Sequence, residues 1–257
     1  MRLTVAALLF LFSFTSIAYS ELTFEEIIKG HKEKAEEGVA QNQYILAIYY
    51  LNGFGVPEGD AEAAKWFRKA AEQGHAEAQA NLARMYDLGE GVPENDAEAI
   101  KWYRKAAEQG HAEAQLHLGV MYDLGIGVPE DDAEAVKWFR KAAEQGLATA
   151  QFNLGQIYAN GEGVPQNYAE AAKWYLKAAE QGIADAQLNL GALYYDGRGV
   201  PQDYVYAYKW WNLAAAQGND GAKSNKEIVV KNMTKEQIAE AQKLSREWSA
   251  KRKAEAE

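Results

Sequence analysis

Between residues 75 and 110 the apolar positions recur with a helical period, twice. Ala78, Leu82, Met85 and Tyr86 stand at i, i+4, i+7 and i+8, one stripe along a helix face, and predict a helix over about 76–88. Ala99, Trp102, Tyr103 and Ala106 form a second stripe and predict a helix over about 96–109. The segment between them carries stop and start signals. Gly89 and Gly91 end the first helix, because glycine past the last turn takes the left-handed conformation without a Cβ penalty. Pro93 blocks continuation. Asn95 is an N-cap residue type for the second helix, and Gly110 closes it.

This unit recurs. Gly-Val-Pro begins at Gly55, Gly91, Gly127, Gly163 and Gly199, a constant step of 36 residues. The closing glycine keeps the same step at Gly38, Gly74, Gly110, Gly146, Gly182 and Gly218. The start signal of the second helix recurs as Gly59, Asn95, Asp131, Asn167 and Asp203. Its large apolar residues recur as Trp66-Phe67, Trp102-Tyr103, Trp138-Phe139, Trp174-Tyr175 and Trp210-Trp211. At helical spacing and this period the tryptophan stripe reads as core, each aromatic contributing roughly 1.5–3 kcal/mol of transfer free energy. Ala83, Gly119, Gly155 and Gly191 let the two helices of a unit approach closely. One helix pair has too small an apolar face to stand alone, so neighbouring pairs must stack. The expectation is an all-α protein, an α/α solenoid of tandem 36-residue helix-turn-helix repeats over 39–74, 75–110, 111–146, 147–182 and 183–218.

The ends differ from the repeats. Residues 21–38 predict one amphipathic helix covering the first unit. Residues 219–257 lose the turn motif and predict closing helices. Thr234 and Gln237 are spaced as a capping box, and Ile238, Ala241, Leu244 and Trp248 form an apolar face. Residues 1–20 have the pattern of an export signal: Arg2, an apolar run from Leu3 to Phe14, then Ala18-Tyr19-Ser20 as a cleavage site. The apolar run is shorter than the roughly 20 residues a spanning helix needs. The expectation is a cleaved leader and no membrane insertion afterwards.

Charge and composition narrow the function. The chain carries 37 acidic and 27 basic side chains, net −10. That balance argues against nucleic acid, whose binding needs a basic patch. The run Lys251-Arg252-Lys253 reads as solvated charge at a helix end. With no cysteine, disulfides, thiolate chemistry and cysteine-ligated zinc are excluded. His75 and His111 are repeat equivalents at a helix start, which reads as a local structural role. His111 and His117 are six apart, a poor spacing for one helix face, and no His-x3-His pair or Gly-x-Ser-x-Gly elbow occurs. The reading is of a binding protein: no catalytic residues, no metal, no cofactor.

The unit Ala78-x3-Leu82-Ala83-x2-Tyr86-x2-Gly89-x-Gly91-Val92-Pro93, followed by Ala99-x2-Trp102-Tyr103-x2-Ala106-Ala107-x2-Gly110, resembles the Sel-one-like repeat (SLR), a branch of the tetratricopeptide superfamily. The resemblance covers about 39–218. It implies a right-handed superhelix of antiparallel helix pairs whose first helices (A) line a concave surface, the second helix of each pair being helix B. It implies adaptor work on a protein or peptide partner, at the envelope of a bacterium. The periplasm is the first expectation, and a secreted effector acting on host proteins is the alternative. A remote alternative is penicillin binding or weak β-lactamase activity, as in cysteine-rich relatives; those rely on disulfides this chain lacks. On helix A, three rows at the 36-residue step become candidate partner contacts. The first is Tyr44, Ala80, Leu116, Phe152 and Leu188. The second is Ile45, Asn81, His117, Asn153 and Asn189. The third is Ile48, Arg84, Val120, Gln156 and Ala192. The amides of the second row suit an extended peptide backbone. Leu116, Phe152 and Leu188 equally suit filling gaps between successive A helices. Arg84 is the one basic residue suitably placed on helix A for a carboxylate.

Overall fold

A computed structural model describes residues 23–256, and among them all regular structure is helical. The export-signal segment lies outside the described residues. A leading helix, α1 (Phe24–Glu36), precedes five helix pairs. The A helices are α2 (Ala40–Asn52), α4 (Ala76–Leu88), α6 (Ala112–Leu124), α8 (Ala148–Asn160) and α10 (Ala184–Asp196). The B helices are α3 (Asp60–Glu72), α5 (Asp96–Glu108), α7 (Asp132–Glu144), α9 (Tyr168–Glu180) and α11 (Tyr204–Ala216). Then come α12 (Asp220–Val229), a 3-10 turn (Val230–Asn232) and α13 (Lys235–Ala256). The fold is an all-α solenoid of helix pairs.

Local chemistry sets these boundaries. Asn95 Oδ1 accepts the Glu98 N–H at 3.1 Å, and Asp131 Oδ1 accepts that of Glu134 at 3.0 Å. The A helices α4 and α6 start on histidine caps. His75 Nδ1 accepts the Ala78 N–H at 3.3 Å and His111 Nδ1 that of Ala114 at 3.2 Å. Their shared position therefore has the structural role its repetition implied. Thr234 and Gln237 form the expected reciprocal box, at 2.9 and 3.3 Å. Thr23 and Glu26 form another at the start of α1.

The chain divides into two compact units, one reaching Met121 with Ile126–Val128, the other comprising Tyr122–Gly125 and Pro129 onward. In the first, α1 packs on α2, and α2 to α5 each pack on the next. Its core includes Leu46, Phe67, Leu82, Met85 and Tyr103. Gly91 serves two constraints there. Its φ is +69°, and a Cβ would lie 2.3 Å from the carbonyl carbon of Asp60, so the turn can seat against the start of α3 only without a side chain.

In the second unit α7 to α11 pack consecutively, α12 and α13 both pack on α11, and α12 also touches α10. Ala171, Tyr175, Leu190, Leu193 and Trp210 form one buried cluster; Ala207, Trp211, Ala222, Val229 and Ala241 belong to another. Gly155 and Gly191 do what their position suggested. A Cβ on either would stand 2.6 Å from the ring of Tyr175 or Trp211. The last helix buries Ala241 and Ser245, with Trp248 half-buried and its ring 6.5 Å from that of Trp210.

Two expectations need correction. The tryptophan stripe is not uniformly core. Trp102, Trp138 and Trp210 are buried, but Trp66 and Trp174 are half-buried. A lysine ammonium covers each ring: Lys69, Lys105, Lys141 and Lys177 one turn on, and Lys209 beside Trp210, at 3.7 to 4.3 Å from the centroids. The basic run near the C-terminus is not merely solvated. Arg252 donates to the carbonyl of Gln181 at 2.9 Å, a residue 71 positions earlier at the C-terminal end of α9. That carbonyl has no helical partner and carries the negative end of the helix dipole, so a guanidinium is drawn to it.

Candidate interaction surface

In the first unit the candidate residues sort by how far packing consumes them. Tyr44 is half-buried, stacked on His75 at 4.7 Å and tilted against Phe67 at 5.8 Å. Ile48 is only 5% exposed. An apolar branched side chain has no polar end to keep in water, so the core retains it and it presents almost nothing to a partner. At the same step Arg84 stays half-buried, paired with Glu90 at 3.0 Å. Asn81 donates its amide to the Glu77 carbonyl on its own helix at 2.8 Å, which leaves its Oδ1 to offer. Leu116 and Val120 are half-buried.

His117 lies flat on Tyr103, centroids 5.0 Å apart and planes 8° apart. Burial holds its pKa below the ordinary histidine value, opposed by the carboxylates of Asp87 and Glu113. Burial likewise pushes the Asp87 carboxyl upward, with His117 pulling the other way. Asn81, Arg84 and His117 come together around a cavity of about 80 Å³ that Tyr103, His111 and Glu113 also line. The sequence brought His111 and His117 to attention and dismissed them on spacing. They meet because His111 sits in the cap, before the helix begins, so helical spacing does not govern the pair.

In the second unit Phe152 tilts against Tyr175 at 6.0 Å. Asn189 hydrogen-bonds the Tyr175 hydroxyl, whose pKa burial pushes up to about 12 against that bond. The Leu188 carbonyl accepts the Trp211 indole N–H at 2.9 Å, and its side chain packs on the last core cluster. Phe152 and Leu188 are therefore partly engaged in packing and stay half-buried. Asn153 and Gln156 are half-buried and make no side-chain hydrogen bond among the described residues.

One constellation went unread. Gln43, Gln79, Gln115, Gln151 and Gln187 are all buried on A helices. Each donates Nε2–H to a carbonyl of the helix before it, at Ala35, Ala71, Ala107, Ala143 and Ala179, over 3.0–3.1 Å. In the first unit Gln73 and Gln109 donate to Gln43 and Gln79, both at 2.7 Å. In the second, Gln181 and Gln217 donate to Gln151 and Gln187 at 2.8 and 2.9 Å. Both glutamine series recur at the 36-residue step, so the signal was legible.

The family model of the Sel1 repeat matches residues 43–75, 76–111, 112–147, 148–183 and 184–219. The chain belongs to the Sel1 repeat family. A crystal structure of a Sel1 repeat protein from Oxalobacter formigenes is 37% identical, over 76% of this chain and 81% of that one, with a TM-score of 0.72. A protective antigen of uropathogenic Escherichia coli strains with an SLR fold is 31% identical, over 86% of this chain and 63% of that one, with a TM-score of 0.45. The cysteine rich protein B of Helicobacter pylori is 26% identical over 48% of this chain and 93% of that one, with a TM-score of 0.39. Among curated proteins none matches. Sel1 repeats are in general protein-interaction scaffolds, and no helix among the described residues is long and apolar enough to cross a membrane.

Proposed function

We propose that this Sel1 repeat protein is an exported scaffold of the bacterial cell envelope that holds a partner protein or peptide against its A helices. The observation that carries the reading is a division of labour among A-helix side chains. The glutamines and the large apolar residues are engaged in packing, whereas Asn153 and Gln156 are half-exposed amides with no side-chain hydrogen bond among the described residues. Amides with unfilled donors and acceptors on a rigid helix suit an extended peptide backbone. Export is supported by the apolar run from Leu3 to Phe14 and the small residues before Glu21.

In-cell crosslinking of the exported chain, with mass spectrometry of captured proteins, tests this. The informative variant is Asn153→Lys with Gln156→Lys, because Phe152 and Leu188 are partly engaged in packing. Expected is enrichment of one or two envelope proteins, lost about tenfold or more in the variant, with an unchanged melting curve. Equal capture by both forms removes the A-helix surface from the reading. Fractionation and N-terminal sequencing test export: a periplasmic chain starting near Glu21 is expected. Accumulation in the medium would favour the secreted effector.

A further inference from the structure

Four of the five B helices carry the same ion pair on the same turn. Lys65, Lys101, Lys137 and Lys173 each reach the glutamate three residues earlier, Glu62, Glu98, Glu134 and Glu170, at 2.5 to 2.8 Å. The fifth lysine of the row is Lys209 on α11, and Tyr206 stands in the glutamate's place. Lys209 makes no ion pair and no side-chain hydrogen bond among the described residues. Its ammonium lies 4.0 Å from the ring centroid of Trp210 and 5.6 Å from that of Tyr206. In the other repeats a lysine one turn after the tryptophan covers that ring; here the position is Leu213, and Lys209 takes the ring instead.

A ring face attracts an ammonium but fills none of its donors as a carboxylate does, so those donors are left to water. Water reaches only part of the group. Lys209 is half-buried, and burial holds its pKa below the ordinary lysine value, opposed by the Glu180 carboxylate at the end of α9. The amine is nevertheless not sealed in. Among the described residues the unpartnered side-chain atoms closed off from solvent are Tyr49 Oη, Tyr103 Oη and Trp210 Nε1, and Lys209 Nζ is not one of them. A lysine so placed is neutral more of the time than its four paired equivalents, and only the neutral amine has a lone pair to give.

We propose that Lys209 is a covalent modification site, its amine adding to the carbonyl carbon of an aldehyde. The nitrogen lone pair forms the C–N bond as the carbonyl π pair moves to oxygen. That oxygen takes up the proton nitrogen releases, and the carbinolamine then loses water to give an imine. An aldehyde suits these surroundings because it is uncharged, whereas an anionic acyl donor would be repelled by Glu180. Its substituent has the Tyr206 ring to lie against, which is 40% exposed and held in place by stacking on Tyr194, centroids 5.2 Å apart.

The test treats the full chain with propanal and cyanoborohydride at pH 7, which fixes each imine as a secondary amine, and reads the labelling rate of every lysine by peptide mass spectrometry. Lys65, Lys101, Lys137 and Lys173 are internal controls whose side chains are 51 to 66% exposed, so access alone would make them the faster ones. Expected is labelling of Lys209 about fivefold faster than any of the four, since each unit of pKa is tenfold in neutral amine at a fixed pH well below it. Tyr206→Glu rebuilds the ion pair of the other repeats. The position is exposed and in the first turn of α11, where a carboxylate is favoured, so the variant should fold and bring Lys209 to within about twofold of the controls. Labelling of Lys209 no faster than the controls in the unaltered chain, or a rate that Tyr206→Glu does not slow, overturns the proposal.

Discussion

Gln109 donates its side-chain Nε2–H to the buried Oε1 of Gln79 at 2.7 Å, and Gln79 in turn donates to the Ala71 carbonyl at 3.0 Å. One amide thus ties the end of α5, the start of α4 and the end of α3. Solenoid stability is a sum of repeat and nearest-neighbour contributions. An interaction that spans both kinds of interface, at Gln43, Gln79, Gln151 and Gln187, helps hold neighbouring helices in register.

Gln79→Leu should therefore cost about 0.5–1.5 kcal/mol per bond lost, because it removes the bonds to the Ala71 carbonyl and from Gln109, although that carbonyl keeps the Gly74 N–H at 3.0 Å. Urea denaturation of the single variant reads this directly. An unchanged midpoint would mean that apolar packing alone couples these helices.

Gly155→Ala and Gly30→Ala should have opposite signs. At Gly155 a Cβ meets Tyr175 at 2.6 Å, and overpacking costs about 1–3 kcal/mol. At Gly30, inside α1, nothing lies within 4 Å, and alanine should stabilise by about 0.5–1 kcal/mol. Thermal melts of the two variants, compared with wild type, check both.

Acidification from pH 7 should destabilise the protein. Burial holds His31, His75 and His117 below the ordinary histidine value. The unfolded chain, with histidines near about 6.5, then binds more protons than the folded one, and stability falls as pH drops through that value. Burial raises Asp87 and Asp123 instead. Their contribution has the other sign: it is present at low pH and is lost as pH rises from about 4. Urea midpoints should thus fall between pH 7.5 and about 5.5, and fall less in His117→Asn. A midpoint that rises over that interval would contradict the sign.

Arg252→Ala should loosen the end of α13 without unfolding the array. The contact with the Gln181 carbonyl is exposed, and a C-terminal cation is worth about 0.3–1 kcal/mol. Hydrogen exchange should speed up over residues 246–256 while the amides of α9 stay protected. Unchanged exchange would show that Trp248 alone holds the helix end.

Among the candidate contacts the sequence placed each residue on the right helix but not at the right depth. Ile48 and Arg84 share one repeat position; one is core and the other sits in an ion pair at the rim. Their fates differ because the neighbours differ, and a periodic pattern carries no information about a single neighbour. Asn189 and His117 also share a position, yet one bonds a tyrosine hydroxyl and the other stacks on a ring. That difference follows from the geometry of the two side chains against the same phenol.

By itself the sequence determined the 36-residue helix-turn-helix unit, its caps and its glycine stops, because those depend on contacts within a few residues. The tertiary structure alone decided the rest. It set Gly91 against Asp60, joined Gln79 to Ala71 and Gln109, brought Arg252 to Gln181, and closed the Tyr103 cavity with residues from three helices. Each of these joins groups on separate helices, and such contacts exist only once apolar burial has stacked those helices side by side.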